Sequence, residues 1–127
     1  MTPYSNPSYS ASAEDTRELL GLIADDTRSQ LRRWTAISIF LQYPVLLTPG
    51  SRRKATALTN DAIQVLRAML ACSKEAIRCF RKRRYDRCMR ALERFERLRQ
   101  ALTIISQLTA RVIIASLLEG RSNGRCR

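Results

Sequence analysis

RKRRYDRCMRALERFERLRQAL, residues 81–102, is the stretch that decides how this chain folds. Arginines at 83, 87, 90, 94 and 97 recur at alternating spacings of four and three, which places them on one face of a single helix. Tyr85, Met89, Leu92, Phe95 and Leu102 form the opposite, apolar face. Between Arg78 and Arg99 ten basic residues stand against three acids. A continuous row of guanidinium groups suits a polyanion, because each phosphate it neutralises releases condensed counterions and so gives affinity independent of base sequence. A solvated helix face is the plainer account of the same charges. The excess is not confined to this helix, however: the 127 residues carry 23 basic and 11 acidic side chains, a formal charge of +12. Arginine supplies 20 of the 23, and its fork matches phosphate through two parallel hydrogen bonds.

Working outward, the helical pattern continues through Ile105, Leu108, Val112 and Ala115. No glycine or proline occurs from 85 to 118, so propensity alone gives one helix of about 50 Å. The β-branched residues and serine from Thr103 to Ser106 mark the place where it would break in two, and Gly120 supplies a stop. Upstream, Leu58, Ala62, Val65, Met69, Ser73, Ala76 and Phe80 trace a second amphipathic helix that runs into the Arg81–Arg84 block. A tight turn there crowds four like charges at one tip. Thr48-Pro49-Gly50-Ser51 reads as a turn and N-cap before this helix. A first helix is expected from Leu19, Ile23, Leu31, Trp34, Ile37 and Leu41 and closes at Tyr43-Pro44. Ser12 and Asp15 are expected to cap its start, and Gly21 with Asp25-Asp26-Thr27 leaves open a split of its opening turns into a separate short helix. The expected organisation is a flexible leader over 1–13, a helical bundle over 14–120 and a disordered basic tail over 121–127. The fold class is all-α, an up-and-down bundle of three long helices, or of four if the last one breaks. No β-hairpin signal occurs.

Length and composition exclude much chemistry. There is no histidine, no GxSxG, no P-loop and no dinucleotide fingerprint among four glycines, so the chain is not expected to be an enzyme. Cys72, Cys79, Cys88 and Cys126 show no CxxC pair, and no metal or cofactor is expected. They read as small buried thiols of a reducing cytoplasm, Cys126 excepted as an exposed one. Asp25 and Asp26 diverge by about 100° on a helix and are expected to face solvent. The apolar run from Leu102 to Leu118 is interrupted by Gln107 and Arg111 and falls short of the roughly 20 residues that span a bilayer, so a core helix is expected there and no membrane. The N-terminus carries no export signal.

Arg52, Arg53 and Lys54 form a second basic group. They oppose the dipole of the helix they open, and an anion docked at that N-terminus would relieve the repulsion. Ile104, Ile105, Ile113 and Ile114 cover more of the last helix than one buried face requires, which points to a homo-oligomer.

Trp34 with Tyr43-Pro44, Pro49 followed by Arg53, and Phe95 with Leu98-Arg99 together resemble the accessory variability determinant family of diversity-generating retroelements, and the related four-helix-bundle proteins of ribosomal RNA intervening sequences. The match departs at Leu92, where that family has an acid, and in lacking a glycine-rich, tryptophan-bearing final helix. The resemblance implies a basic bundle that assembles into an oligomeric ring, partners a reverse transcriptase and touches template RNA or its cDNA, with no active site of its own. The residues support a non-catalytic nucleic-acid-binding protein using Arg83, Arg87, Arg90, Arg94 and Arg97, with Arg52, Arg53 and Lys54 as a second contact. The rival readings are a helical adaptor for an acidic protein partner and a small helical subunit of a CRISPR effector complex.

Overall fold

A computed structural model describes residues 6–43 and 47–122, with side chains from 13 to 119. Three helices, α1 (Asn6–Phe40), α2 (Pro49–Arg81) and α3 (Tyr85–Ser122), form an all-α up-and-down bundle with no strand among the described residues. The helix starts reflect local chemistry. At α2, Thr48 is the N-cap: its backbone is extended, its hydroxyl accepts a hydrogen bond from the Ser51 N–H at 3.3 Å, and Pro49 occupies the first turn, where a missing N–H costs nothing. The α1 start lies earlier than expected. Residues 6–13 of the expected leader are helical and Ser12-Asp15 falls inside α1, because Pro7 is tolerated in a first turn and no glycine or proline from 8 to 13 interrupts the helix. Gly21 and Asp25-Thr27 do not split α1 either. A single helical glycine costs only about 1 kcal/mol relative to alanine, less than the packing on both sides of it returns.

α3 is continuous over 38 residues, about 57 Å, so the four-helix alternative does not occur. At the place where a break was expected, the Thr103 hydroxyl donates to the Arg99 carbonyl at 3.1 Å, and further along Thr109 donates to Ile105 at 2.8 Å. These side chains bond back to their own helix, which runs on past them unbroken. The helix also passes Gly120, taking in Arg121 and Ser122 of the expected tail; residues 123–127 lie outside the described residues, as do 1–5.

The core is a set of heptad seams. Along α2 the buried side chains are Ala55, Thr59, Ala62, Leu66, Met69, Ser73 and Ala76, at alternating steps of four and three, with Cys79 three residues further on. Along α3 Cys88, Ala91, Leu102, Thr109 and Ser116 are buried, with Phe95, Leu98, Ile105 and Val112 half-buried in the same row. Small residues dominate the α2 seam, so α2 and α3 approach closely, and the larger side chains gather around Leu66, Met69 and Leu102. The buried hydroxyls are satisfied within their helices, as in Thr59 to the Ala55 carbonyl at 2.7 Å and Ser73 to Leu70 at 2.8 Å. Ser116 instead accepts from the Thr48 N–H at 3.1 Å and ties α3 to the start of α2.

This register corrects several expected core positions. Tyr85, Met89, Leu108 and Ala115 are exposed, and on α1 Leu19 is exposed while Leu20, Ala24 and Thr27 are buried; Leu41, just past α1, is buried as expected. On α2, Met69 is fully buried as expected and so is its neighbour Leu66, whereas Trp34, Leu92 and Phe95 pack half-buried around them or around the neighbouring cluster of Leu20, Ala76, Cys79, Cys88 and Ala91. Burial, with Cys79 nearby, pushes the Cys88 thiol above its ordinary range. α2 is the central helix: it packs on both neighbours, while the backbones of α1 and α3 stay further apart among the described residues. Side chains such as Leu31, Trp34, Phe95 and Leu98 bridge that wider gap.

The α2–α3 connection takes the form of a Schellman motif. Arg84 N–H donates to the Cys79 carbonyl at 2.8 Å and Arg83 N–H to Phe80 at 3.0 Å, which requires the left-handed conformation that Arg83 adopts, with φ of 57°. Glycine usually fills this position. Arg83→Gly is expected to raise stability by about 0.5–1 kcal/mol in urea unfolding, since it removes the Cβ penalty that exceeds the added entropy of the unfolded chain. A loss of stability would mean that the Arg83 side chain holds the turn.

Candidate nucleic-acid interface

The turn geometry moves Arg83 out of the helix that its spacing suggested. It precedes α3, while Arg87, Arg90, Arg94 and Arg97 lie on α3, and all five are exposed. The turn nevertheless keeps Arg83 with its group. Arg83, Arg84, Tyr85, Asp86, Arg87 and Arg90 line one open depression of about 500 Å³ at the tip of the bundle. The aromatic ring of Tyr85 stands edge-on to Phe80, with centroids 5.6 Å apart, and fixes the first turn of α3 against the end of α2.

The acids of this helix leave the row available. Glu96 is engaged by Arg99, which donates to it through two hydrogen bonds of 2.5 and 2.7 Å. The hydrogen bond from Arg99 holds the Glu96 carboxyl below its ordinary range, and the same contact raises the Arg99 guanidinium. None of the five ridge arginines forms an ion pair among the described residues. Asp25 and Asp26 face solvent as expected, Asp25 paired with Arg28 at 2.9 Å and Asp26 accepting from Gln30 at 2.7 Å.

A second basic depression adjoins the tip and was not anticipated. Arg28 of α1, Lys74, Arg78 and Arg81 of α2 and its C-cap Lys82, with Ile77, line an open groove of about 500 Å³ between those helices. Its signal is present in the residues, since 74, 78 and 81 repeat at four and three, but only the pairing of α1 with α2 adds Arg28 to that row. Glu75 neutralises part of this charge through its contact with Arg78.

Arg52, Arg53 and Lys54 lie elsewhere. They belong to the first turns of α2, about 45 Å along the helix from the tip, and the fold does not bring them to the ridge. Arg52 and Arg53 share an open depression of about 380 Å³ with Leu41, Gln42, Thr56, Ala57 and Asn60, whereas Lys54 is exposed outside it. Among the described residues no group of three or more cysteine, aspartate or glutamate side chains gathers to hold a metal ion.

The second half of α3 departs from the expected core helix. By length and composition α3 is apolar enough to cross a membrane, yet from 101 to 118 only Leu102, Thr109 and Ser116 are buried. Ile104, Leu108, Ile114, Leu117 and Leu118 are exposed. The packing that leaves them so is the narrow contact with α2, which covers one seam of α3 and no more. Spanning a bilayer in this form would carry the neighbouring Arg52, Arg53, Lys54 and Asp61 of α2 into hydrocarbon, at a cost of a few kcal/mol or more for each charge. Known protein families, curated proteins and solved structures offer no match to this chain.

Proposed function

We propose that this protein is a non-catalytic, nucleic-acid-binding helical protein whose contact surface is the basic tip and the adjoining α3 ridge. One observation carries the reading: basic side chains from all three helices meet at one end of the bundle. Arg83, Arg84, Arg87 and Arg90 line one depression there, and Arg28, Lys74, Arg78, Arg81 and Lys82 line another. Crowding like charges at one tip is unfavourable for the free chain, and a phosphate backbone relieves it while releasing counterions. Arg94 and Arg97 extend the surface along α3.

Phosphate contacts position a strand and do not read its bases, so binding is expected to be tolerant of sequence. The resemblance to the accessory proteins of diversity-generating retroelements supports the same class of function, with template RNA or cDNA as the strand and a reverse transcriptase as the protein partner. It also supports the absence of an active site, and the free thiols of Cys72, Cys79 and Cys88 support a cytoplasmic setting. The three-helix form is simpler than the bundle that resemblance implies. Mixed-sequence RNA or single-stranded DNA tested by filter binding over 50–200 mM salt is the decisive measurement. Neutralising about five phosphates predicts a fall in affinity of roughly 100- to 500-fold, the smaller figure for single strands. Binding absent even at low salt would leave an acidic protein partner as the better occupant of the tip.

A further inference from the structure

Each outer helix carries an exposed seam that its own chain leaves uncovered. On α1, positions 15, 19, 22, 26, 29, 33, 36 and 40 recur at alternating steps of four and three, and all are exposed except the half-buried Ser29; the exposed Tyr43 follows in the turn after α1. On α3 the arginine row continues at the same spacing through 101, 104, 108, 111, 115 and 118, all exposed except the half-buried Ala101. Such spacing is that of a helix-packing seam, and neither seam meets a helix within the chain.

The two seams match in chemistry at matching heights. The upper α1 seam reads Asp15, Leu19, Leu22 and Asp26, flanked by Glu14, Glu18 and Asp25; the lower part holds Arg33 and ends in Ala36 and Phe40, with Tyr43 in the turn beyond. The α3 seam is arginine at 87, 90, 94 and 97 and then mostly apolar, through Ile104, Leu108 and Leu118, with Arg111 among them. α1 and α3 run in the same direction, with Leu20 in one cluster with Cys88 and Ala91, and with Leu31 and Trp34 packed around the cluster that holds Leu102. The acids of α1 therefore stand level with the arginines of α3, and Phe40 and Tyr43 level with its apolar half.

We propose that a second copy of this chain docks alongside the first with its axis parallel, the α1 seam of one on the α3 seam of the other. Charge selects that orientation: an antiparallel copy sets the α1 acids against Ile104 and Leu108 and the arginines against Phe40. In the parallel pose Arg111 meets the aromatic pair Phe40 and Tyr43, a favourable cation–aromatic contact. Area agrees. Leu19, Leu22, Phe40 and Tyr43 are each more than half exposed and leave about 100 Å² apiece, close to the apolar share of the ~800 Å² that one partner gives a standard interface. The pairing uses different faces of the two copies, so it repeats from copy to copy until it closes. This inference does not rest on the nucleic-acid reading. Where both hold, a strand on Arg90, Arg94 and Arg97 and a neighbouring α1 exclude each other, while Arg83, Arg84 and the α1–α2 groove stay free.

Charge exchange in nucleic-acid-free protein tests it. One variant carries Asp15→Arg and Asp26→Arg, the other Arg87→Glu and Arg94→Glu, with circular dichroism verifying the helices of each. Light scattering at micromolar concentration is expected to give wild-type masses above the 14.6 kDa monomer. Each variant alone should associate roughly tenfold or more weakly, and an equimolar mixture should regain association, because each then offers the other a complementary seam. A monomeric wild type, variants that associate as wild type does, or a mixture that stays monomeric each overturns the proposal. A monomeric wild type that floats with lipid vesicles overturns it in favour of a membrane surface for the apolar half.

Discussion

Replacing Arg87, Arg90 and Arg94 together with glutamine is expected to weaken nucleic-acid binding for all sequences alike and to flatten its salt dependence. All three side chains are exposed on α3, and none forms an ion pair among the described residues, so their removal leaves the seams between helices untouched. If each neutralises one phosphate, the slope of log affinity against log salt drops by about 2 to 3, single strands at the lower end. Affinity at 100 mM salt then falls by roughly two to three orders of magnitude, while helicity and the urea midpoint stay near wild type. Glutamine keeps the hydrogen-bonding capacity of the side chain and removes its charge, so the change reports electrostatics. Unaltered affinity and slope in the folded variant would make the ridge a solvated face and move attention to the α1–α2 groove or to Arg52 and Arg53. A changed base preference would also count against the reading, since phosphate contacts carry no sequence information.

The largest expected loss of stability is that of Leu66→Ala. Leu66 is fully buried at the middle of α2, in the cluster with Ala62, Met69 and Leu102, against which Trp34 and Phe95 pack. Its neighbours on the α2 seam are mostly small, so few atoms are available to collapse into the space left. The cost should fall in the upper part of the usual range of about 2–5 kcal/mol for leucine truncation, a large share of the roughly 5–15 kcal/mol that holds a domain together. Urea unfolding monitored by circular dichroism reads it. Leu92→Ala should cost clearly less, because Leu92 is half-buried at the edge of the other cluster. Equal costs at the two positions would contradict the register of α2 against α3.

The helices and their order were legible because they depend on local signals: the glycine- and proline-free runs, Pro44 after α1, Thr48-Pro49 before α2. The arginine row was legible for the same reason, as a periodicity that holds whatever the helix packs on. The exact core register was not. Matching large apolar residues to one stripe puts Tyr85, Met89 and Leu108 inside, whereas the chain buries Cys88, Ala91, Thr109 and Ser116 in their place. Thr109 and Ser116 look polar in the sequence but hydrogen-bond locally or to the Thr48 backbone, and their small volume is what lets α3 come close to α2.

Composition and spacing are properties of the chain, so three amphipathic helices, a cap at Thr48 and a row of arginines could be read before any fold was known. Which face of each helix is covered depends on how deep its contact is, and depth is a property of two helices at once. Only the packing of α2 between α1 and α3 decided that small residues fill the seams and that Arg28 joins the α2 cations. For the same reason it left the apolar half of α3 exposed. Likewise, the left-handed turn at Arg83 is set by closing α2 onto α3, since no local preference of arginine asks for a positive φ.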